Sequence, residues 1–194
     1  MGLFLCQPQS SEIVLGFVAD SSTATGLAWA APAGGGGLTL LSTTTLSGTS
    51  TTISVSASSY LNLMIIGEDI QYNGNDYGIV EINSTANQMS SVFTNTYTSA
   101  TDSGFVGGSD LNITYAPANT GNNKNGFLLN IYNSANTTTN KPFNLINSFT
   151  DSSARRNHKQ QAGQITITAA INQLRFYTSG AAFGGGTIKV YGVK

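Results

Sequence analysis

The chain has 194 residues, with eight Lys and Arg against nine Asp and Glu, one His and one Cys. That length supports one good hydrophobic core, and a net charge of −1 excludes a nucleic-acid binder, which needs many clustered cations. The lone Cys6 excludes an intrachain disulfide, and the near-neutral surface, built from Ser, Thr, Asn and Gln, suits life inside an assembly.

Residues 1–37 read as an extended N-terminal arm with a glycine-rich linker, and residues 38–194 as one β-sandwich domain. The start, "MGLFLCQPQ", lacks the basic region and long apolar core of a secretory leader. Gly2 has no basic patch after it to support a lipid anchor. No run approaches a membrane span, so no membrane insertion is expected. The arm holds "IVLGFV" at 13–18, then Leu27 and Trp29, then "AAPAGGGG" at 30–37. Pro32 and Gly34 to Gly37 break regular structure. Phe4, Leu15, Phe17, Leu27 and Trp29 have no evident local partner segment, so a neighbouring molecule is expected to cover them.

From residue 38 the chain alternates as β structure does. "LTLLSTTTL" at 38–46 and "TTISVSAS" at 51–58 are strands, and "YLNLMIIGEDI" at 60–70 is the most apolar and so the central one. Asn73-Gly74 signals a hairpin before the strand "YGIVEIN" at 77–83. Residues 84–126 are less regular, with strand candidates at 89–98 and 110–116 and a loop at 119–126. "FLLNIYNS" at 127–134 and "PFNLINSFT" at 142–150 flank the loop "ANTTTNK". "RRNHKQQAG", carrying Arg155, Arg156, His158 and Lys159, reads as a polar loop. Alternating runs at 163–171 and 172–179 precede "GAAFGGG" at 180–186, a tight turn, and "TIKVYGVK" at 187–194 closes the chain in a final strand. Helix is limited to one turn near 58–61 or 169–172. At least eight short strands predict an all-β, antiparallel sandwich.

Chemistry-bearing residues are sparse. His158 has no second ligand or triad partner. Glu68, Asp69 and Asp76 match no calcium loop, and a carboxylate pair for hydrolysis would need Asp102, Asp110 or Asp151 to meet another acid across the sandwich. The tetraglycine lacks the Lys-Ser/Thr of a phosphate loop. Asn83, Asn112 and Asn136 fall in glycosylation sequons that are incidental to an Asn/Thr-rich chain. No catalytic residue, metal site or cofactor is therefore expected. Tyr72, Tyr77, Tyr97 and Tyr132, with Tyr115, Tyr177 and the many asparagines, form either a glycan-binding surface or ordinary half-buried strand positions. Arg155, Arg156 and Lys159 suit a subunit contact.

Several stretches resemble a β domain of tailed-bacteriophage virion structural proteins, found in capsid decoration proteins and in head and tail fibres. "LLNIYNSANTTTNKPF" at 128–143 carries an I-x-N-x-A-N-T-T-T-x-K pattern, and "AAINQLRFYTSGAAFGGGTIKVYGVK" at 169–194 matches the closing G-x-F-x-x-G-T-I-x-x-Y-G pattern nearly throughout. "GGGGLTLLSTTTLSGTSTTISVSA" resembles the family's opening hairpin, and "GFVADSSTATGLAWAAPAGGGG" a connector that precedes such domains. "YLNLMIIGEDI" is similar to its central strand, with Glu68 and Asp69 where a base is frequent. "VEINSTANQMSSVF" matches a further segment only in part. The resemblance implies a jelly-roll-like sandwich, frequently a homotrimer, displayed on the virion surface and carrying no catalytic residues. Without heptads or long repeats the chain cannot form a fibre shaft. The expected role is a capsid decoration or cement protein, anchored by its arm to the major capsid protein or another virion protein. A receptor-binding fibre tip that recognises host surface glycan is the alternative, and a glycan depolymerase a further one.

Overall fold

A computed structural model describes residues 16–19, 27–30, 37–84, 89–97, 100–107, 111–114 and 124–194. The chain divides into two units, Met1–Gly37 and Leu38–Lys194. In the first, β1 (Gly16–Ala19) pairs antiparallel with β2 (Leu27–Ala30), and Phe17 stands opposite Trp29. This corrects the expectation that these residues lack a local partner: the strands supply each other's backbone hydrogen bonds. Phe4 and Leu15 lie outside the described residues.

The second unit is all-β. Its strands are β3 (Leu38–Thr45), β4 (Ser50–Ser54), β5 (Asn62–Tyr72), β6 (Gly78–Ile82), β7 (Met89–Tyr97), β8 (Ala100–Gly107), β9 (Leu111–Asn112), β10 (Asn125–Ile131), β11 (Lys141–Thr150), β12 (Arg156–Ile165), β13 (Gln173–Thr178) and β14 (Phe183–Val193). One sheet has the order β3-β14-β5-β10-β11-β12-β7-β8, the other β4-β13-β6-β9. Every pairing is antiparallel.

The pairing is nested. β3 joins β14, β4 joins β13, β5 joins β10, and β6 joins β9. The chain thus behaves as one long ribbon doubled back and rolled into two layers, which is a jelly roll. Two inserted hairpins, β7–β8 and β11–β12, widen the first layer from four strands to eight. Consecutive strands β3 to β6 alternate between layers. Asn73-Gly74 therefore lies in a crossover between sheets and not in a hairpin. For the same reason β3 and β4 do not form the opening hairpin that the family pattern implies.

Alternation explains the core. Leu63, Ile65, Leu129, Ile131 and Leu145 face inward from the large sheet and Leu174 and Phe176 from the small one, all buried. Phe127 reaches Phe176 at 6.1 Å between ring centroids. That ring needs the bare Cα of Gly67, where a Cβ would sit 2.2 Å from Phe127. Pairing on both sides of β5 slips just beyond this point, and Asp69 takes φ 54, the mark of a bulge. Gly184 to Gly186, expected in a turn, lie instead at the start of β14. Gly186, at φ 122, packs against the Ile70 backbone.

The expected loop at 155–163 is also corrected, because most of it belongs to strand β12. Its inward positions are Asn157, Lys159 and Gln161, all buried. Apolar alternation is absent there because polar residues occupy the core-facing sites. They are accommodated by partners such as Asn95, which donates from Nδ2 to Asn157 Oδ1 at 3.0 Å.

Two carboxylates clamp the connections. Asp76, in the β5–β6 crossover, accepts from the amides of Tyr77 at 2.7 Å, Ser179 at 3.1 Å and Gly180 at 2.8 Å, and also from the Ser179 hydroxyl and the Ala181 amide. It ties that crossover to the β13–β14 connection. Asp151 closes the β11–β12 turn through the amides of Ser153 and Arg155, both at 2.9 Å, Arg155 Nε at 2.8 Å and Asn157 Nδ2 at 3.1 Å. Burial pushes both carboxyls up, but these donors outweigh it and hold each below its ordinary value.

The linkage sign follows from that depression. A carboxyl lowered in the folded state contributes stability that is complete above its unfolded pKa of about 3.9 and disappears as pH falls through the folded value. The thermal midpoint should accordingly drop steeply below about pH 4. Asp76→Asn should lower it at neutral pH by roughly 1–2 kcal/mol in stability and flatten the acid limb. Identical acid limbs in calorimetric scans of the two proteins would refute the assignment.

Candidate functional site

The outer face of the eight-stranded sheet carries the most unusual chemistry. A solvent-facing sheet surface is ordinarily polar. Here the central strands are apolar on both faces. β5 turns Leu63 and Ile65 inward and Met64 and Ile66 outward; β10 turns Leu129 inward and Leu128 outward; β11 turns Leu145 inward and Ile146 outward.

Register aligns these positions into rows. One row runs Leu40, Tyr191, Met64, Asn130, Asn144, Ala162, Val92 across seven strands. The next runs Lys189, Ile66, Leu128, Ile146, Gln160, Thr94. Leu40 is 53 % exposed, Val92 61 % and Ile146 40 %. Val92, Asn144, Ile146, Gln160 and Ala162 line a shallow groove of about 310 Å³. Asn130 Nδ2 donates to Asn144 Oδ1 at 2.9 Å, and Asn144 Nδ2 to the Tyr132 hydroxyl at 3.2 Å. Lys189 is paired with Glu68 at 2.7 Å, so both rows carry no uncompensated charge. A second groove of about 590 Å³ lies toward the other end of the strands, beside Thr96, Ser148, Arg156 and His158.

Tyr72, Tyr77, Tyr97 and Tyr132 do not converge, and Tyr115 lies outside the described residues. Tyr72 is buried against Phe183, with ring centroids 5.6 Å apart. Burial, reinforced by the Asp76 charge, pushes its phenol well above the ordinary value. It is therefore a core residue and no glycan contact. Tyr97 lies beneath the Arg155 guanidinium, 4.4 Å from its ring centroid. Tyr132 bonds through its amide to Pro142 at the start of β11, whereas Tyr97 pairs with Asn157 near the end of that strand's register. Those ends are about 20 Å apart at ~3.4 Å per residue. Tyr77 precedes β6 in the other sheet.

The three cations are separated too. Lys159 is buried, so it cannot share a surface with Arg155 and Arg156. It donates to the Asn112 carbonyl at 3.3 Å and lies 5.6 Å from the Phe93 ring centroid. Arg155 is held by Asp151 and Tyr97, while Arg156 is exposed. The described acids are equally occupied; the Asp102 side chain and Asp110 lie outside the described residues. Glu81 pairs with Arg175 at 3.0 Å and Asp69 with Lys124 at 2.9 Å. Among the described residues no three His, Cys, Asp or Glu side chains gather as metal ligands. Phe17, Leu27 and Trp29 lie in the β1–β2 pair of the first unit.

Sequence reasoning missed the outer face. Its signal was available as doubled apolar positions in strands otherwise read for alternation: "LMII" at 63–66, "FLL" at 127–129 and "LI" at 145–146. Compared with protein-family models, with curated proteins and with solved structures, the chain matches none.

Proposed function

We propose that this chain is a non-enzymatic accessory protein of a tailed-bacteriophage particle, held to the major capsid protein or another virion protein by its N-terminal unit. The sandwich is displayed on the virion surface as a decoration or cement module. One observation carries the reading: a small apolar β pair, with Phe17 opposite Trp29, forms a unit separate from the jelly roll. The sequence patterns at 128–143 and 169–194 support the virion assignment, and the jelly-roll topology is compatible with it. Buried apolar contacts repeated by particle symmetry give firm attachment from individually weak sites.

A receptor-binding tip is the second reading, favoured by the Tyr132–Asn144 pair beside an open groove. Such an aromatic and amide surface suits a neutral sugar. Immunolabelling of intact particles tests both. With Phe17→Ser/Trp29→Ser in the full chain, label should disappear from particles while the sandwich keeps its circular dichroism. Particles lacking the protein should lose resistance to heat or osmotic shock yet still adsorb to cells. Stable particles that fail to adsorb would transfer the assignment to the receptor role, and unlabelled wild-type particles would reject both.

A further inference from the structure

We propose that the outer face of the eight-stranded sheet is the surface on which copies of this chain associate, face against face. The inference does not depend on the virion reading, because it rests on the chemistry of the face alone.

Three observations select a second copy as the occupant. The first is area. Eight strands at ~4.8 Å spacing and about six residues of height give roughly 800 Å² per copy, the size of one side of a standard stable interface. The second is charge. The two central rows hold one charged residue, Lys189, which Glu68 just beyond them neutralises, and the whole chain has net charge −1. Identical faces therefore meet without the repulsion that a strongly charged partner surface would be needed to offset.

The third is the kind of polar group present. Asn130, Asn144 and Gln160 interrupt the apolar rows. An amide is donor and acceptor at once, so it can pair with the same residue type across a symmetry axis, where a carboxylate or ammonium would meet its like. Self-pairing of this kind is what a symmetric interface demands. Aligned packing of two twisted sheets then brings Met64, Ile66, Leu128 and Ile146 of one copy onto those of the other, removing from water the apolar residues that a lone copy exposes.

The test uses the full chain in analytical ultracentrifugation over a concentration series, with Val92→Lys and Ile146→Lys made singly. Both sites are exposed, so the fold tolerates them, and unchanged circular dichroism and thermal midpoint confirm this. Ser54→Lys, on the exposed face of β4 in the other sheet, is the control. The wild type and Ser54→Lys should form the same oligomer. Each large-sheet variant should dissociate at protein concentrations about a hundredfold higher, because a lysine buried within an apolar interface is left unpaired. A wild type that stays monomeric at about 100 µM, a concentration at which even weak specific interfaces are populated, would overturn the proposal. So would an oligomer indifferent to both lysines; the face would then be left to a different protein.

Discussion

Replacing Lys141 with methionine should cost the fold about 3 kcal/mol, the scale of losing the donor to several buried acceptors. Lys141 is fully buried at the first position of β11. Its ammonium donates to three backbone carbonyls: Asn136 at 2.5 Å, Thr139 at 2.8 Å and Thr168 at 3.0 Å. Three acceptors satisfy all three N–H bonds of an ammonium. The cage is built by the loop itself. Asn136 Oδ1 accepts from the Thr138 amide at 2.7 Å, the Thr138 hydroxyl at 3.1 Å and the Thr139 amide at 2.8 Å, an Asx-type turn that bends the chain over the lysine. Thr168 comes from the β12–β13 connection, so the ammonium fastens two loops together.

Methionine matches the length and fills the space but offers no donor, so three carbonyls lose their charged partner at once. Desolvation lowers the Lys141 pKa, so burial opposes the charge, and the three carbonyl acceptors offset that cost. In urea titrations Lys141→Met should shift the midpoint down with little change in slope. Amide exchange at Thr138 and Thr139 should accelerate as the loop releases. An unchanged midpoint would mean that water replaces the ammonium at no cost, and the cage would have no structural weight.

How much of this was readable beforehand depends on which force fixed each element. β5, β10, β11 and β14 were legible because apolar residues recur on one face with period two. The sandwich followed from their number. The nested order did not follow, because pairing is decided by which ribbon half covers which, and local signals mislead there. Asn73-Gly74 has hairpin chemistry but sits in a crossover, anchored by Asp76 to residues 179–181.

β12 was illegible for a different reason. Its core-facing residues are Asn157, Lys159 and Gln161, so its pattern has the right period but the wrong polarity for a strand. Only the structure supplies the partners that allow them inside. Arg155 and Lys159 lie four residues apart, yet one is tied to Asp151 across a turn and the other points to Asn112 in the opposite layer. The candidate face was half legible. Apolar pairs such as Met64–Ile65 and Leu128–Leu129 announce strands covered on both sides, but the rows that join them into one surface exist only once register is known.

Lys159 should respond to the same substitution with the opposite sign. Lys159→Met is expected to stabilise the protein by roughly 3 kcal/mol at neutral pH, within the range seen when a buried ion yields to a well-packed apolar residue. Like Lys141 it is buried, but among the described residues its ammonium makes one hydrogen bond, a long one of 3.3 Å to the Asn112 carbonyl. Its cross-strand neighbours are Asn147 and Asn95, whose own amide nitrogens are committed to Ile113 and Asn157. Their Oδ1 atoms are buried without donors. Desolvation pulls the Lys159 pKa from 10.5 to about 8, and an amine so displaced carries about 1.4 kcal/mol of cost per pH interval whenever it is protonated.

The sign with pH distinguishes this from a simple packing gain. A lysine whose folded pKa is lowered binds its proton less tightly in the native state than in the unfolded chain, so stability rises as pH increases from about 8 toward 10.5 and is lowest, and constant, below that window. Methionine removes the penalty at every pH. The gain from Lys159→Met should therefore be largest at pH 7 and shrink above about pH 8, vanishing near the unfolded pKa. Chemical denaturation at pH 7 and pH 9.5 measures it directly. A variant that is less stable than the wild type at both values would show that the Asn112 bond and the Phe93 ring satisfy the ammonium after all. An equal gain at both would assign the effect to packing and not to charge.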